Sequence, residues 1–254
     1  MSDPIVLHHF RVSHYNEKVR WALDFKRLPH LRKAYVPGFH VPAVRRLSGQ
    51  NKVPVLVMGG RVVCGSDMIL SELEAAHPVP PLTPSDPEGR ARALALQKQY
   101  DDEVAPELRR IFWSTYLDDA PAVARMATDG FGEPMELLFR SSFAVMKPLF
   151  RRNMGVDDGR AEAALERLPF YFDRLESELG GREYLVGSTF TVADLAVASV
   201  MTAIVRPPEF PYPLPEPWPR RLVEIRASVS KKPAFEWVQQ IYARHRGRTS
   251  ELVS

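Results

Sequence analysis

The sequence predicts a two-part protein, a small α/β unit with a four-stranded mixed sheet followed by an all-α unit. Three observations predict it. Residues 1–78 run in the order strand, helix, strand, helix, hairpin, helix. Beyond residue 89 the apolar residues recur almost only at helical spacing. Between the two lies a proline cluster: of 23 prolines, five fall within 78–87 and seven more within 207–219. Proline continues neither a helix interior nor a central strand. The expected division is therefore 1–78, a proline-rich linker 79–88, and a helical unit 89–254.

Each element has a local reason. Residues 5–10 read as a buried strand, and residues 17–26 place Val19, Ala22, Leu23 and Phe25 on a helix that Pro29 stops. Residues 32–36 make a second strand, and 41–48 a short helix with Pro42 in its first turn. Two β-rich runs flank Gly59–Gly60, a two-residue hairpin signal because the favoured turns need positive φ. A helix over Ser66–Ala76 closes the unit with Ile69, Leu70 and Leu73 on one face.

In the second part, residues 89–117 predict a helix bent at Pro106, and 118–133 a segment broken by Pro121, Gly130 and Gly132. Residues 134–154 and 160–179 predict two more helices. Thr191 followed three residues later by Asp194 is a capping-box start for the most apolar helix, to Val205. Pro233 opens a last amphipathic helix, and Arg244, His245, Arg246 and Arg248 read as a solvated tail. The second proline cluster reads as a long loop wrapping the helical unit near the ligand pocket.

Composition narrows the function classes. At 45% hydrophobic and 10% aromatic, the chain is too apolar for disorder despite its prolines. With one cysteine there is no intramolecular disulfide, no CxxC pair and no multi-cysteine zinc site. Thirty-four basic against 31 acidic residues, a net charge of +3, argues against a nucleic-acid binder. The longest apolar run, 195–205, is too short for a bilayer, and no basic, apolar signal segment opens the chain, so a cytoplasmic protein is expected with no membrane partner. Cys64 at the end of a β-run is expected to be buried, and His8 and His9 to point to opposite faces, so that no metal is shared.

Three polar turns should lie at one end of the sheet, where α/β folds bind ligands. The first holds Ser13, His14 and Tyr15 at a helix start, where free N–H groups suit an anion such as a thiolate; Ser13 alternatively serves as a cap alone. In the second, Lys52–Val53–Pro54, a turn before a strand can present the Val53 backbone to a peptide-like ligand, or is an ordinary strand start. The third is Gly65–Ser66–Asp67, where Ser66 caps a helix or the same N–H groups take a ligand carboxylate. On the helical side Arg109, Phe112, Trp113 and Tyr116 share one face, fit either for core packing or for holding an apolar, acidic ligand.

In combination and order these motifs resemble the cytosolic glutathione S-transferase superfamily, over essentially the whole chain. Ser13–His14–Tyr15 with Lys18–Val19–Arg20, then Val53–Pro54, Ser66, and Thr191 to Asp194 stand where that family has its signatures. The resemblance is to a serine-type, bacterial-like member. It implies a thioredoxin-like N-terminal domain and an all-α C-terminal domain, with glutathione as co-substrate, no metal, and a detoxifying transferase as activity. It further implies Ser13 as the catalytic group that holds the glutathione thiolate for attack on a hydrophobic electrophile. His14, Tyr15, His40, Lys52, Val53, Pro54, Gly65, Ser66 and Asp67 would contact glutathione, Ser66 at the γ-glutamyl carboxylate and His40 at the glycine carboxylate. Arg109, Phe112, Trp113 and Tyr116 would line the electrophile pocket. Conjugation, isomerisation and peroxide reduction all remain open as reactions. A homodimer is implied, pairing the first domain of one subunit with the second domain of the other. Two departures stand out: Gly65 replaces the family's acid or glutamine before the serine, with Asp67 as a substitute one position later, and His14 replaces a proline. They leave two alternatives, a weakly active or inactive binding protein of the same fold, or a transferase that uses another thiol.

Overall fold

The computed structural model describes residues 4–252. A mixed sheet of order β2-β1-β3-β4 forms from β1 (Ile5–His9), β2 (His30–Ala34), β3 (Val55–Met58) and β4 (Arg61–Cys64). β1 pairs parallel with β2, from Ile5↔His30 to His9↔Ala34, and antiparallel with β3, where Leu7 opposes Leu56. The parallel step needs a crossover, supplied by α1 (His14–Phe25); α2 (Val41–Ser48) connects to β3, and α3 (Ser66–Ala76) follows β4. Leu7, Val19, Leu23, Leu56, Ile69 and Leu73 are fully buried between sheet and helices. At ~1.5–3 kcal/mol each, their burial is the main force holding the unit together. α1 begins three residues earlier than periodicity indicated, because the Ser13 cap, rather than the first apolar residue, sets its start. Cys64 is half-buried rather than buried.

The helical part is built around α10 (Val192–Val205), every residue of which is buried. A helix apolar on all sides must be surrounded. α1, α4 (Pro87–Gln99), α5 (Ala105–Tyr116) and α12 (Pro233–His245) all pack on it. Its capping box is formed: Thr191 N–H and Oγ1–H both donate to Asp194 Oδ2 at 2.8 and 2.9 Å, and Leu185 N–H donates to Oδ1 at 2.8 Å. Burial outweighs these donors and pushes the Asp194 carboxyl up to about 6.

Several expectations are corrected. The segment 89–117 is not one helix bent at Pro106. A π-helical turn, Tyr100–Val104, separates α4 from α5, and Pro106 sits harmlessly in the first turn of α5, where no N–H is needed. The segment 160–179 is two helices, α8 (Asp158–Glu166) and α9 (Leu168–Leu179), because Pro169 can only open a helix here. α6 (Ala120–Ala127) and α7 (Glu133–Met154) precede them, and α11 (Arg220–Val229) was not anticipated.

The residues after α12 are not a solvated tail. Arg246 is 2% exposed; its guanidinium donates to Glu17 at 2.6 Å and to Asp24 at 2.8 Å. Ser250 N–H also donates to Asp24, and Glu251 bridges to His30 on the edge strand β2.

The proline segment between α3 and α4 is bolted rather than slack. The Glu74 carboxylate accepts from Leu82 N–H and Thr83 N–H, both at 3.0 Å, from Thr83 Oγ1–H, and from Lys26 Nζ at 2.6 Å. Leu82 O in turn accepts from Val192 N–H at the start of α10. The second proline cluster crosses to the β1–α1 end: Tyr212 lies against His9, Arg11 and Arg20, and Phe210 over Arg206. None of residues 207–219 lines the main cleft, which corrects its expected place beside the ligand pocket.

Candidate functional site

A cleft of about 1870 Å³ lies between the carboxyl end of β1, the turns before β3 and α3, and the faces of α5 and α7. It brings together all three predicted turns, which are far apart in sequence.

Ser13 sits at its base as the N-cap of α1, with φ −82° and ψ 128°. Its Oγ accepts from Asn16 N–H at a long 3.4 Å, which occupies a lone pair and leaves the hydroxyl proton free to donate. Arg20, fully buried, fixes this turn from behind. Its guanidinium donates to Phe10 O and Arg11 O at 3.0 Å and to Glu17 Oε2 at 2.7 Å. Sequence reasoning placed Arg20 within a motif without giving it this positioning role; its spacing from Glu17, i and i+3 on a helix, was the available signal.

His14 lies in the cleft wall, 7% exposed, with Nε2 buried and without a partner. Burial, with Arg109 and Lys18 nearby, lowers it to about 3, so its ring is neutral at physiological pH. Tyr15 packs on His14 and donates its hydroxyl to Asp101 O at 3.0 Å. Lys18 reaches the Asp101 carboxylate of the same π-helical turn. The widened turn thus offers both a carbonyl and a carboxylate to α1.

Val53 and Pro54 line the cleft, joined by a cis peptide bond, with Lys52 beside them. Pro54 O accepts from Gly65 N–H at 3.2 Å, coupling the second turn to the third. Gly65 takes φ +87°, a conformation L side chains rarely adopt. A Cβ there would lie 3.0 Å from Asp67 Oδ1, so the Asp67 carboxylate folds back beside the backbone of residue 65. α3 has no side-chain cap, and its first-turn N–H groups, from Ser66 onward, stand at the cleft.

Two expected roles are corrected. His40 lines the cleft, but its Nδ1 accepts from Gly38 N–H at 3.1 Å and its Nε2 therefore donates to Asn51 O at 3.0 Å. Both nitrogens are spent on the loop, and neither is left for a glycine carboxylate. Tyr116 is 1% exposed and does not line the cleft; its ring packs tilted against Phe112, 4.9 Å between centroids. Arg109, Phe112 and Trp113 do line it, joined by Met146 and Phe150 of α7. Among the described residues no group of three His, Cys, Asp or Glu side chains could hold a metal ion, and no helix is long and apolar enough to cross a membrane.

A sheet unit with a serine-capped helix start, followed by a helical unit with a capping box, defines a class, and comparison gives the same one. The family model for the glutathione S-transferase N-terminal domain matches residues 7–82, and that for its C-terminal domain matches 144–237. The chain belongs to the glutathione S-transferase superfamily. Among curated relatives it is 29% identical over 211 residues to FtsZ-localized protein A of Caulobacter vibrioides, covering 80% of this chain and 78% of that one. It is 26% identical over 199 residues to the probable glutathione S-transferase MSR-1 of Nicotiana plumbaginifolia, covering 77% and 71%. Among solved structures, the theta class glutathione S-transferase of Xanthomonas axonopodis pv. citri with glutathione bound aligns with TM-score 0.58 at 22% identity, covering 97% and 98%, a likeness of fold.

Proposed function

We propose that the protein is a glutathione-dependent transferase in which Ser13 stabilises the thiolate. One observation carries the reading. The Ser13 hydroxyl, at the N-terminus of α1, shares a single cleft with the uncapped N-terminus of α3, so a thiolate and a carboxylate of one ligand each meet a matching end. The Xanthomonas relative, whose structure holds glutathione, supports the choice of thiol.

The chemistry follows from charge. A free thiol has pKa ~8.5. A hydroxyl donor and the positive end of α1 favour the thiolate, lowering this by about one unit or more. Val53 would pair with the peptide backbone of glutathione, and Ser66 and the α3 amides would take its γ-glutamyl carboxylate. Asp67, folded beside Gly65, supplies an acid on the same side for the α-amino group. Lys52, His14 and Tyr15 line the rest of that path. With an aryl halide such as chlorodinitrobenzene, the S–C bond forms, chloride leaves with the C–Cl pair, and the thiol proton passes to solvent.

The decisive experiment is calorimetric titration with glutathione together with turnover of chlorodinitrobenzene by wild type and Ser13→Ala. Binding with Ser13-dependent turnover is expected. No binding and no turnover in wild type would sink the reading.

A second reading has its own support. Gly65 carries no side chain for the γ-glutamyl group, and FtsZ-localized protein A is named for where it localises rather than for a reaction. On that reading the chain is a binding protein of transferase fold. Glutathione binding without turnover would favour it, and competition among several thiols in the same titration would reveal a different thiol.

A further inference from the structure

Two arginines of the cleft wall, the half-buried Arg109 and the buried Arg206, make no ion pair among the described residues, unlike the buried arginines around α1. Arg20, Arg32 and Arg246 each reach a carboxylate at 2.6–2.7 Å. Arg206, at the C-terminal end of α10, is buried at 8% exposure, yet among the described residues its one side-chain hydrogen bond is a 3.5 Å contact to Thr202 O, and its Nη2 has no partner. It lies over the rings of Phe112 and Phe210, at 5.7 and 4.8 Å. Glu17 is the acid whose charge reaches it, but that carboxylate is bonded to Arg20 and Arg246. Arg109, three residues before Phe112 on α5, makes no ion pair among the described residues, and its Nε is buried without a partner. Its charged and titratable neighbours are Tyr15, His14 and Arg110. Burying a guanidinium without an anion is costly, and a ligand that brings the anion relieves the cost.

The acids of the cleft lie elsewhere. Asp101 serves Lys18 and Asp102 serves Lys98, on the π-helical turn facing α3. The acids that line the cleft, Asp67, Glu74, Asp101 and Asp102, thus stand with Arg90 and Lys98 on the side of α3 and α4, while Arg109 and Arg206 lie with Phe112 on the side of α5 and α10.

We propose that the second substrate is a carboxylate-bearing electrophile, its apolar body against Phe112 and its carboxylate held by Arg109 in the field of Arg206. A planar, forked guanidinium suits a carboxylate. This rests on the transferase reading for the reaction, though not for the binding. With an α,β-unsaturated ketone carrying a carboxylate, the thiolate sulfur bonds to the β-carbon. The C=C electron pair moves to the α-carbon, which takes up one proton from solvent, and nothing leaves.

Ethacrynic acid and its methyl ester share one enone and differ in a carboxylate. Wild type is expected to favour the acid by about tenfold or more in kcat/KM, corrected for the uncatalysed rates, with the ratio falling toward one in Arg109→Met and Arg206→Met and partly recovered in Arg109→Lys. The saturated, unreactive analogues of both are titrated calorimetrically without glutathione. The acid is expected to bind about tenfold or more tightly than the ester, and Arg109→Met to remove the difference. Thermal melts check each variant, and Arg109→Met, the less buried position, decides alone if Arg206→Met does not fold. Equal affinity of wild type for the two analogues, or a preference that survives Arg109→Met, overturns the proposal. A carboxylate preference in a protein that neither binds nor turns over glutathione would leave the subsite standing and remove the transferase reading.

Discussion

The Ser13 hydroxyl is held by a bond long enough to be given up, while the turn around it is held by shorter ones, from Arg20 to Phe10 O and Arg11 O at 3.0 Å and from Glu17 N–H to Ser13 O at 2.9 Å. Replacing Ser13 with alanine should therefore leave the turn in place and remove only the donor. We expect the thiol pKa of bound glutathione, followed by thiolate absorbance against pH, to rise by about one unit or more. An unchanged titration would exclude the hydroxyl from the chemistry. His14 beside it, lowered to about 3, contributes no titration between pH 5 and 8. Asp194 is the residue on which α10 depends. Asp194→Ala strips three donors of their acceptor and should cost about 2–4 kcal/mol in urea unfolding. Much at this scale is legible in sequence. Ser13 and the Thr191–Asp194 cap are local patterns, fixed by what a helix start needs, whereas Ser66, expected as a cap, stands inside α3 behind the N-cap Gly65 and caps nothing. Tyr116 is not legible, because which side of α5 meets the cleft depends on the π-helical turn before it, and no spacing rule anticipates an extra residue in a turn. His40 was misjudged for a related reason: its loop closes on itself through Gly38 and Asn51, a tertiary outcome.

The segment after α12 is an element that composition disguises. Arg244 to Arg248 looks like a charged tail, but Arg246 meets Glu17 and Asp24, 229 and 222 residues away in sequence, and charge alone does not reveal a partner so distant. Arg246→Met leaves two buried carboxylates short of a cation, and should cost about 3–5 kcal/mol in the same unfolding assay. Burial tends to raise Asp24, but Arg246, Arg32 and the Ser250 amide outweigh it and hold the carboxyl below its usual value. Asp24 therefore stays ionised in the folded chain at pH values where the unfolded chain is already protonated. Its contribution is complete above about pH 3.9 and is lost as pH falls through the lower folded value. Acid titration followed by hydrogen exchange should show the amide of Leu252, bonded to His30 O, losing protection in that window before the core of α10 does. Simultaneous loss would mean that the segment is not held by this charge.

At the scale of the whole molecule, the order of elements was legible because the hairpin glycines, the proline clusters and the capping box punctuate the chain at the right places. The splits at residues 100–104 and 167–169 were not, since each half keeps the same apolar period. We expect two copies to pair, the sheet unit of one against the helical unit of the other, giving about twice the mass of one chain by light scattering; a monomeric mass would contradict it. The crossing of residues 246–252 back to α1 and β2 has one more consequence, which concerns synthesis. Domains usually fold in order as they leave the ribosome. Here Glu17 and Asp24, which have Arg20 and Arg32 close by in sequence, gain their further cation from Arg246, more than two hundred residues later in the chain. A nascent chain stopped at residue 245 holds a complete sheet sequence with its buried acids still short of Arg246, so the sheet unit, translated before the helical one, is completed only after it.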